Sequence, residues 1–252
     1  MSSRFDLSKK VAVITGGSRG LGLAIAKGFA ECGADIAVIS TKQSPQLEEL
    51  LADVSGTKVK SYGFDLANFE AYEELIESIK ADFGTIDILL NNAGVQRRSP
   101  AADFSMDDFD FVLDINLKAP FILCQKAAKI MIEKGRGKII NIASLLSFQG
   151  GLNVPAYTAS KSAVMGFTKS MSNEWAKLGI NVNCIAPGYV ATDMNEALLA
   201  DETRNRQILE RIPMGRWANP EDMVGAAIFL ASSASDYISG TTVVVDGGWM
   251  GR

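Results

Sequence analysis

The chain has 252 residues, of which 47% are hydrophobic and 21% charged, with a net charge of −4. This ordinary globular usage excludes a disordered chain and argues against nucleic acid or an anionic membrane as partner. Histidine is absent and the three cysteines (Cys32, Cys124, Cys184) lie far apart, so a disulfide frame, a histidine triad and a zinc centre are all unexpected and no metal is called for.

The predicted elements alternate. A strand at 11–14 leads into a helix at 21–32, and a strand at 35–40 into a helix at 45–54. A strand at 57–62 precedes a helix at 69–83, where Tyr72, Leu75, Ile76, Ile79 and Phe83 fall at helical spacing. Then come a strand at 86–90, a helix at 106–133 with a break near Pro120, and a strand at 138–143. A helix at 156–177, a strand at 180–186, a helix at 221–231 and a last strand at 242–245 complete the pattern. The strands are near-continuous Val/Ile runs, as expected when helices cover both faces of a sheet. Repeated βα alternation predicts an α/β fold, a single-domain doubly wound parallel sheet. The stretch 188–217 is polar and irregular, and its place beyond a strand end predicts a lid over the site.

Residues 1–10 lack an apolar signal core, and the longest charge-free stretch, 139–160, is broken by Asn141, Gln149, Gly150, Gly151, Asn153 and Pro155. Neither a signal peptide nor a membrane span is expected, which together with the cysteine usage points to the cytoplasm.

The first strand runs into Thr15-Gly16-Gly17-Ser18-Arg19-Gly20-Leu21-Gly22. Glycine permits the tight turn and close approach of a diphosphate, and the following helix start supplies N–H donors and positive dipole. Strand two ends at Ser40-Thr41-Lys42, with no acid to receive a ribose 2′-hydroxyl. Arg19 and Lys42 are instead suited to a 2′-phosphate, so the local residues lean to NADP(H).

With no histidine, proton transfer needs another acid/base. Tyr157 and Lys161 are four apart on a predicted helix, so they share a face, and an adjacent ammonium stabilises a phenolate. Ser144 follows strand five, at the end of the sheet where α/β sites gather. Asn116 lies on the preceding helix, where an amide either satisfies backbone groups or holds a water relay. Arg97 and Arg98 follow strand four and Gln149 follows strand five, which offers cations and a polar group to a carboxylate and hydroxyls.

Taken together, residues 15–22, Asn91-Asn92-Ala93-Gly94, Ser144, Tyr157-x3-Lys161 and Pro187-Gly188 resemble the short-chain dehydrogenase/reductase family, end to end and in family order. The resemblance implies a Rossmann fold, an NAD(P)(H) cofactor and hydride transfer at a secondary alcohol or ketone. It implies that Tyr157 is the general acid/base, that Lys161 lowers its pKa and grips the nicotinamide ribose, and that Ser144 orients the reacting oxygen. Asn116 would sustain a proton relay. Gly16, Ser18, Arg19, Gly20, Leu21 and Gly22 would line the diphosphate and ribose, with Ser40 and Lys42 at the 2′ position. Asp65 would meet adenine, Asn92 the adenosine ribose side, and Pro187, Gly188, Val190 and Thr192 the carboxamide, with Leu66 and Gly94 also at the cofactor. Segments at 96–98, 144–151, 154–161, 173–176, 212–217 and 246–249 resemble a branch of the family that works on keto-gluconates and other sugar acids, mostly with NAD. This branch sets the expectation of a sugar-acid substrate bound by Arg97, Ser144 and Gln149, and the family that of a cytosolic homotetramer. A 3-oxoacyl carrier-protein reductase and a non-catalytic dinucleotide sensor are the alternatives. The net acidity disfavours an acidic carrier, and the intact Tyr157/Lys161 pair disfavours a sensor.

Overall fold

The computed structural model describes residues 3–252. Seven parallel strands form one sheet in the order β3-β2-β1-β4-β5-β6-β7. They are β1 (Val11–Thr15), β2 (Asp35–Ser40), β3 (Val59–Gly63), β4 (Ile88–Asn91), β5 (Gly137–Ile142), β6 (Ile180–Pro187) and β7 (Thr242–Val245). The helices are α1 (Gly20–Glu31), α2 (Pro45–Ser55), α3 (Tyr72–Phe83), α4 (Met106–Leu113), α5 (Ala119–Lys134), α6 (Pro155–Trp175), α7 (Glu196–Ala200), α8 (Glu202–Arg211) and α9 (Val224–Ala231).

The period of two along each strand divides the core into two layers. Ala12, Ile14, Ile36, Val38, Ile88, Leu90, Ile140 and Ile142 face the layer made by α1, α2 and α9. Val13, Ala37, Ile39, Leu89 and Ile139 face α3, α5 and the end of α6. Every residue of β1 is buried, which accounts for its unbroken apolar sequence. Local chemistry sets the helix ends. Ser44 caps α2 by accepting from Leu47 N at 3.3 Å, and Gly56 closes that helix in the left-handed region at φ 65°.

The strand order reverses direction between β1 and β4, so a crevice opens beyond their C-terminal ends. Every candidate site loop leaves the sheet on this side. The break expected near Pro120 in the helix at 106–133 takes the form of a π-helical segment, Asp114–Lys118. One element differs from the sequence expectation. The stretch 188–217, expected to be irregular, contains α7 and α8. These pack around a small separate apolar cluster of Leu145, Ile208, Ile212, Trp217 and Trp249.

Candidate active site

The phosphate loop is shaped by close backbone contacts. Gly16 and Gly20 have positive φ, 64° and 52°. A Cβ on Gly22 would lie 2.2 Å from Gly16 O and 2.5 Å from Asn92 Nδ2, so only glycine fits. Arg19 occupies the N-cap of α1 without a side-chain cap, which leaves the first-turn N–H groups available to an anion. A dinucleotide fits this cradle: a glycine turn, an uncapped helix start and a crevice at the switch point.

Asn92, expected on the adenosine ribose side, ties β4 to this loop. Its Nδ2 donates to Thr15 O (3.0 Å) and Gly16 O (3.1 Å), and its backbone N donates to Thr15 Oγ1 (3.0 Å). Its amide hydrogens are therefore already engaged. Arg19, expected with Lys42 to face a 2′-phosphate, is paired through Nη1 with Asp193 Oδ2 at 2.7 Å. This contact spans the crevice, since a Cβ on Gly20 would also meet the Thr192 methyl at 3.7 Å. Lys42 is exposed, and its carbonyl accepts from Ser40 Oγ at 2.8 Å. Asp65 is exposed and accepts from Ala67 N, and Leu66 O accepts from Tyr72 OH. Both hold the turn after β3 at the rim of the crevice. Gly188 follows β6, with its N–H donated to Val245 O at 2.9 Å, and Val190 is buried against the main core.

Ser144 sits just past β5 as the N-cap of a short turn. Its Oγ accepts from Leu146 N (3.2 Å), and its N–H donates to Ser147 Oγ (3.3 Å). Ser147 Oγ in turn donates to Lys161 O at 2.7 Å, which joins this turn to α6. The Ser144 hydroxyl lies close enough to the Tyr157 phenol to hold down its pKa. Lys161 is buried, its Nζ 5.7 Å from the Tyr157 ring centroid and donating to Ile142 O at 2.7 Å. Asn116, in the π segment, is buried. Its Oδ1 accepts from Val95 N (2.8 Å), and its Nδ2 donates to Val95 O (2.9 Å) and Ser160 Oγ (3.2 Å). Asn116 thus pins the turn after β4, where a Cβ on Gly94 would stand 3.4 Å from its Oδ1 and 3.7 Å from Lys161 Nζ.

The electrostatics correct one expectation. Burial pushes the Tyr157 phenol above its usual range, and the groups opposing it are the Ser144 hydrogen bond and then the charge of Arg98. Lys161 is itself pushed down to about 8 by burial. A weakened neighbouring cation whose proton is shared with a carbonyl does not outweigh the desolvation of the phenol.

Ser144, Tyr157 and Gln149 line a cavity of about 410 Å³, within the range of small-molecule sites. Arg98 lines it too, whereas Arg97 does not: Arg97 Nε pairs with Asp108 Oδ1 at 3.1 Å, with its guanidinium 4.7 Å from the Phe111 ring centre. Arg204, Gln207 and Arg211 of α8, and Tyr189, none of them expected at the site from the sequence, also line the cavity. Their signal was available: 204, 207, 208 and 211 follow the i, i+3, i+4, i+7 rule for one helical face.

A family model of the short-chain dehydrogenase/reductases, described as Enoyl-(Acyl carrier protein) reductase, matches residues 16–250. The chain belongs to the short-chain dehydrogenase/reductase family. It is 51% identical to a 2-dehydro-3-deoxy-D-gluconate 5-dehydrogenase of Escherichia coli (strain K12), over 99% of each chain. It is 50% identical to the enzyme so named in Dickeya dadantii (strain 3937), over 98% of each. Among solved structures, a gluconate 5-dehydrogenase from Burkholderia cenocepacia J2315 in complex with NADP and tartrate superposes with a TM-score of 0.96 at 40% identity, covering 99% of this chain and 98% of that one. As a short-chain dehydrogenase/reductase, the chain is an NAD(P)-dependent oxidoreductase with the doubly wound parallel sheet expected from its sequence. No helix among the described residues is long and apolar enough to cross a membrane, and no group of three or more potential metal ligands occurs among them.

Proposed function

We propose that the protein interconverts a secondary alcohol and a ketone of a sugar acid, with Tyr157 as the proton carrier. The observation that carries this reading is the composition of the cavity beside the Tyr157–Ser144 hydroxyl pair. Three arginines, Arg98, Arg204 and Arg211, line it, and no acidic residue does. Four arginines elsewhere, Arg19, Arg97, Arg206 and Arg216, are paired with carboxylates, whereas these three have no carboxylate partner among the described residues. Unbalanced guanidinium charge in a concave site attracts an anionic substrate. The names of the relatives support the same class, and 2-dehydro-3-deoxy-D-gluconate is the substrate we favour over D-gluconate.

The bound dinucleotide supplies the hydride acceptor or donor. In oxidation the Tyr157 phenolate takes the proton of the substrate hydroxyl, and in reduction the phenol returns it. Ser144 Oγ donates to the reacting oxygen, which orients it and keeps the Tyr157 oxygen within reach. Lys161 holds positive charge near that phenolate, and its protonated state favours it. Asn116 acts as a positioning residue that fixes the Gly94–Val95 turn next to the Lys161 ammonium. Gly16, Ser18, Gly20, Leu21 and Gly22 take the diphosphate, Pro187, Gly188, Val190 and Thr192 the carboxamide, and Lys42 a 2′-phosphate, so NADP(H) is the preferred cofactor. The segment 188–217 serves as the lid, with the Arg19–Asp193 contact as its hold across the crevice. The same family reading supports a cytoplasmic homotetramer.

Initial rates with a panel of keto-gluconates, sugar acids and an acetoacetyl thioester, each with NAD(H) and NADP(H), test the function. Turnover of sugar acids is expected. Turnover of the thioester alone would overturn the reading in favour of an acyl-chain reductase.

A further inference from the structure

The cavity charge is not evenly placed. The positive charge of Arg98 bears on both the Tyr157 and the Tyr189 phenols, while those of Arg204 and Arg211 bear on Tyr189. Arg204 and Arg211 lie two turns apart on the cavity face of α8, about 10 Å along its axis. Arg204 Nη1 donates to Gln207 Oε1 at 2.9 Å, which leaves its remaining N–H groups for a ligand.

Arg211 is held from two sides. Its guanidinium carbon stands 4.0 Å from the ring centre of Trp249, which is itself buried and lines the cavity. Arg252 Nη1 donates to Glu210 O (3.1 Å) and Arg211 O (3.3 Å), closing the end of α8. Trp249 rests on Tyr189 (4.7 Å between centroids), Tyr189 meets Trp217 edge-on (5.3 Å), and Trp217 Nε1 donates to Asn205 Oδ1 of α8 at 2.8 Å. The tail after β7 and α8 are therefore one packed unit. Trp249 Nε1 is buried without a hydrogen-bond partner, a donor left over at this wall of the cavity.

We propose that the Arg204–Arg211 face of α8, with Arg211 mounted on Trp249, is the carboxylate subsite and determines which carbon meets Tyr157. The inference rests on the sugar-acid reading and deepens it. A carboxylate held on α8, away from the Tyr157–Ser144 pair, presents a carbon several bonds down the chain to the reacting hydroxyls. A substrate without that anchor loses both affinity and a fixed register.

The test uses the full chain with two probes, D-gluconate and 2-dehydro-3-deoxy-D-gluconate, against D-glucitol, which lacks the carboxylate. Calorimetric titration of each acid into the cofactor-free chain reads binding without turnover. Arg204→Met and Arg211→Met are each expected to weaken acid binding and to lower the acid-over-glucitol preference in kcat/KM by about 10–100-fold, as for loss of a charge-assisted hydrogen bond. The product ketone, located by NMR, is expected to spread over more than one carbon. Trp249→Leu is expected to move in the same direction and Trp249→Phe to restore most of the loss. Arg206→Met, which removes a cation of α8 paired with Glu210, controls for net charge and is expected to leave the preference unchanged. Wild-type acid binding in Arg204→Met and Arg211→Met, or equal losses for acid and glucitol, would overturn the subsite. A wild-type chain that binds these acids through the two arginines yet oxidises no sugar acid would overturn the proposed function and leave the subsite standing.

Discussion

The Lys161 ammonium lies 5.7 Å from the centre of the Tyr157 ring and gives a hydrogen bond to Ile142 O, the last residue of β5, at 2.7 Å. The helix that carries the tyrosine is thus anchored to the sheet by a buried cation.

That cation is costly to the fold. Its pKa is pushed down to about 8 from 10.5, so the unfolded chain binds the proton more tightly than the folded one. For a base depressed in this way, stability is reduced below the folded pKa and recovers as pH rises from about 8 towards 10.5. Lys161→Met is therefore expected to fall in stability relative to wild type by about 1–3 kcal/mol between pH 8 and pH 10. It is also expected to lose most of its turnover. Thermal unfolding at the two pH values checks this.

Ser144 lowers the Tyr157 phenol against the effect of burial. Oxidation requires the phenolate, so its rate falls on the acid side of that group's pKa. Ser144→Ala raises the pKa further and is expected to move the acid limb of the kcat/KM profile for oxidation to higher pH. It is also expected to cost about 10²-fold or more in rate, in the range for loss of one preorganised donor. An acid limb unmoved by Ser144→Ala contradicts the assignment.

The phosphate loop tolerates no side chain at Gly22, where a Cβ would fall 2.2 Å from a backbone oxygen. Gly22→Ala is expected to weaken dinucleotide binding and to destabilise the chain by about 1–3 kcal/mol, the usual cost of overpacking. Denaturant unfolding and a cofactor titration report the two effects.

At the end of β2, Lys42 is exposed and no acid stands beside it in Ser40-Thr41-Lys42. Lys42→Asp is expected to reduce the NADP-over-NAD preference in kcat/KM by at least about tenfold, through loss of a charge-assisted contact and repulsion of the 2′-phosphate. An unchanged ratio would assign that preference to other residues.

The sheet could be read from the sequence because its strands are buried on both faces and write their position as apolar runs such as Val11-Ala12-Val13-Ile14. The break near Pro120 was legible but its form was not, because the π segment at Asp114–Lys118 keeps the chain helical and shifts the face by a single residue. Ser144, Tyr157 and Lys161 stood out through spacing on regular elements. The choice between Arg97 and Arg98 had no such guide: adjacent residues in a loop point in directions that no period fixes, and Asp108 and Phe111 claim the first. The wall made by α8 was only partly legible. The spacing of 204, 207, 208 and 211 marks one helical face, but its apolar side is completed by Trp217 and Trp249, the latter 38 residues beyond the end of the helix at Arg211, and no local pattern announces that.

The most direct test of the whole account is the turnover of Tyr157→Phe. The substitution removes one hydroxyl and keeps the ring. The account predicts a loss of about 10²–10⁴-fold in kcat, the usual share of a general acid/base, with dinucleotide affinity within a few-fold of wild type. Turnover at the wild-type rate would contradict it.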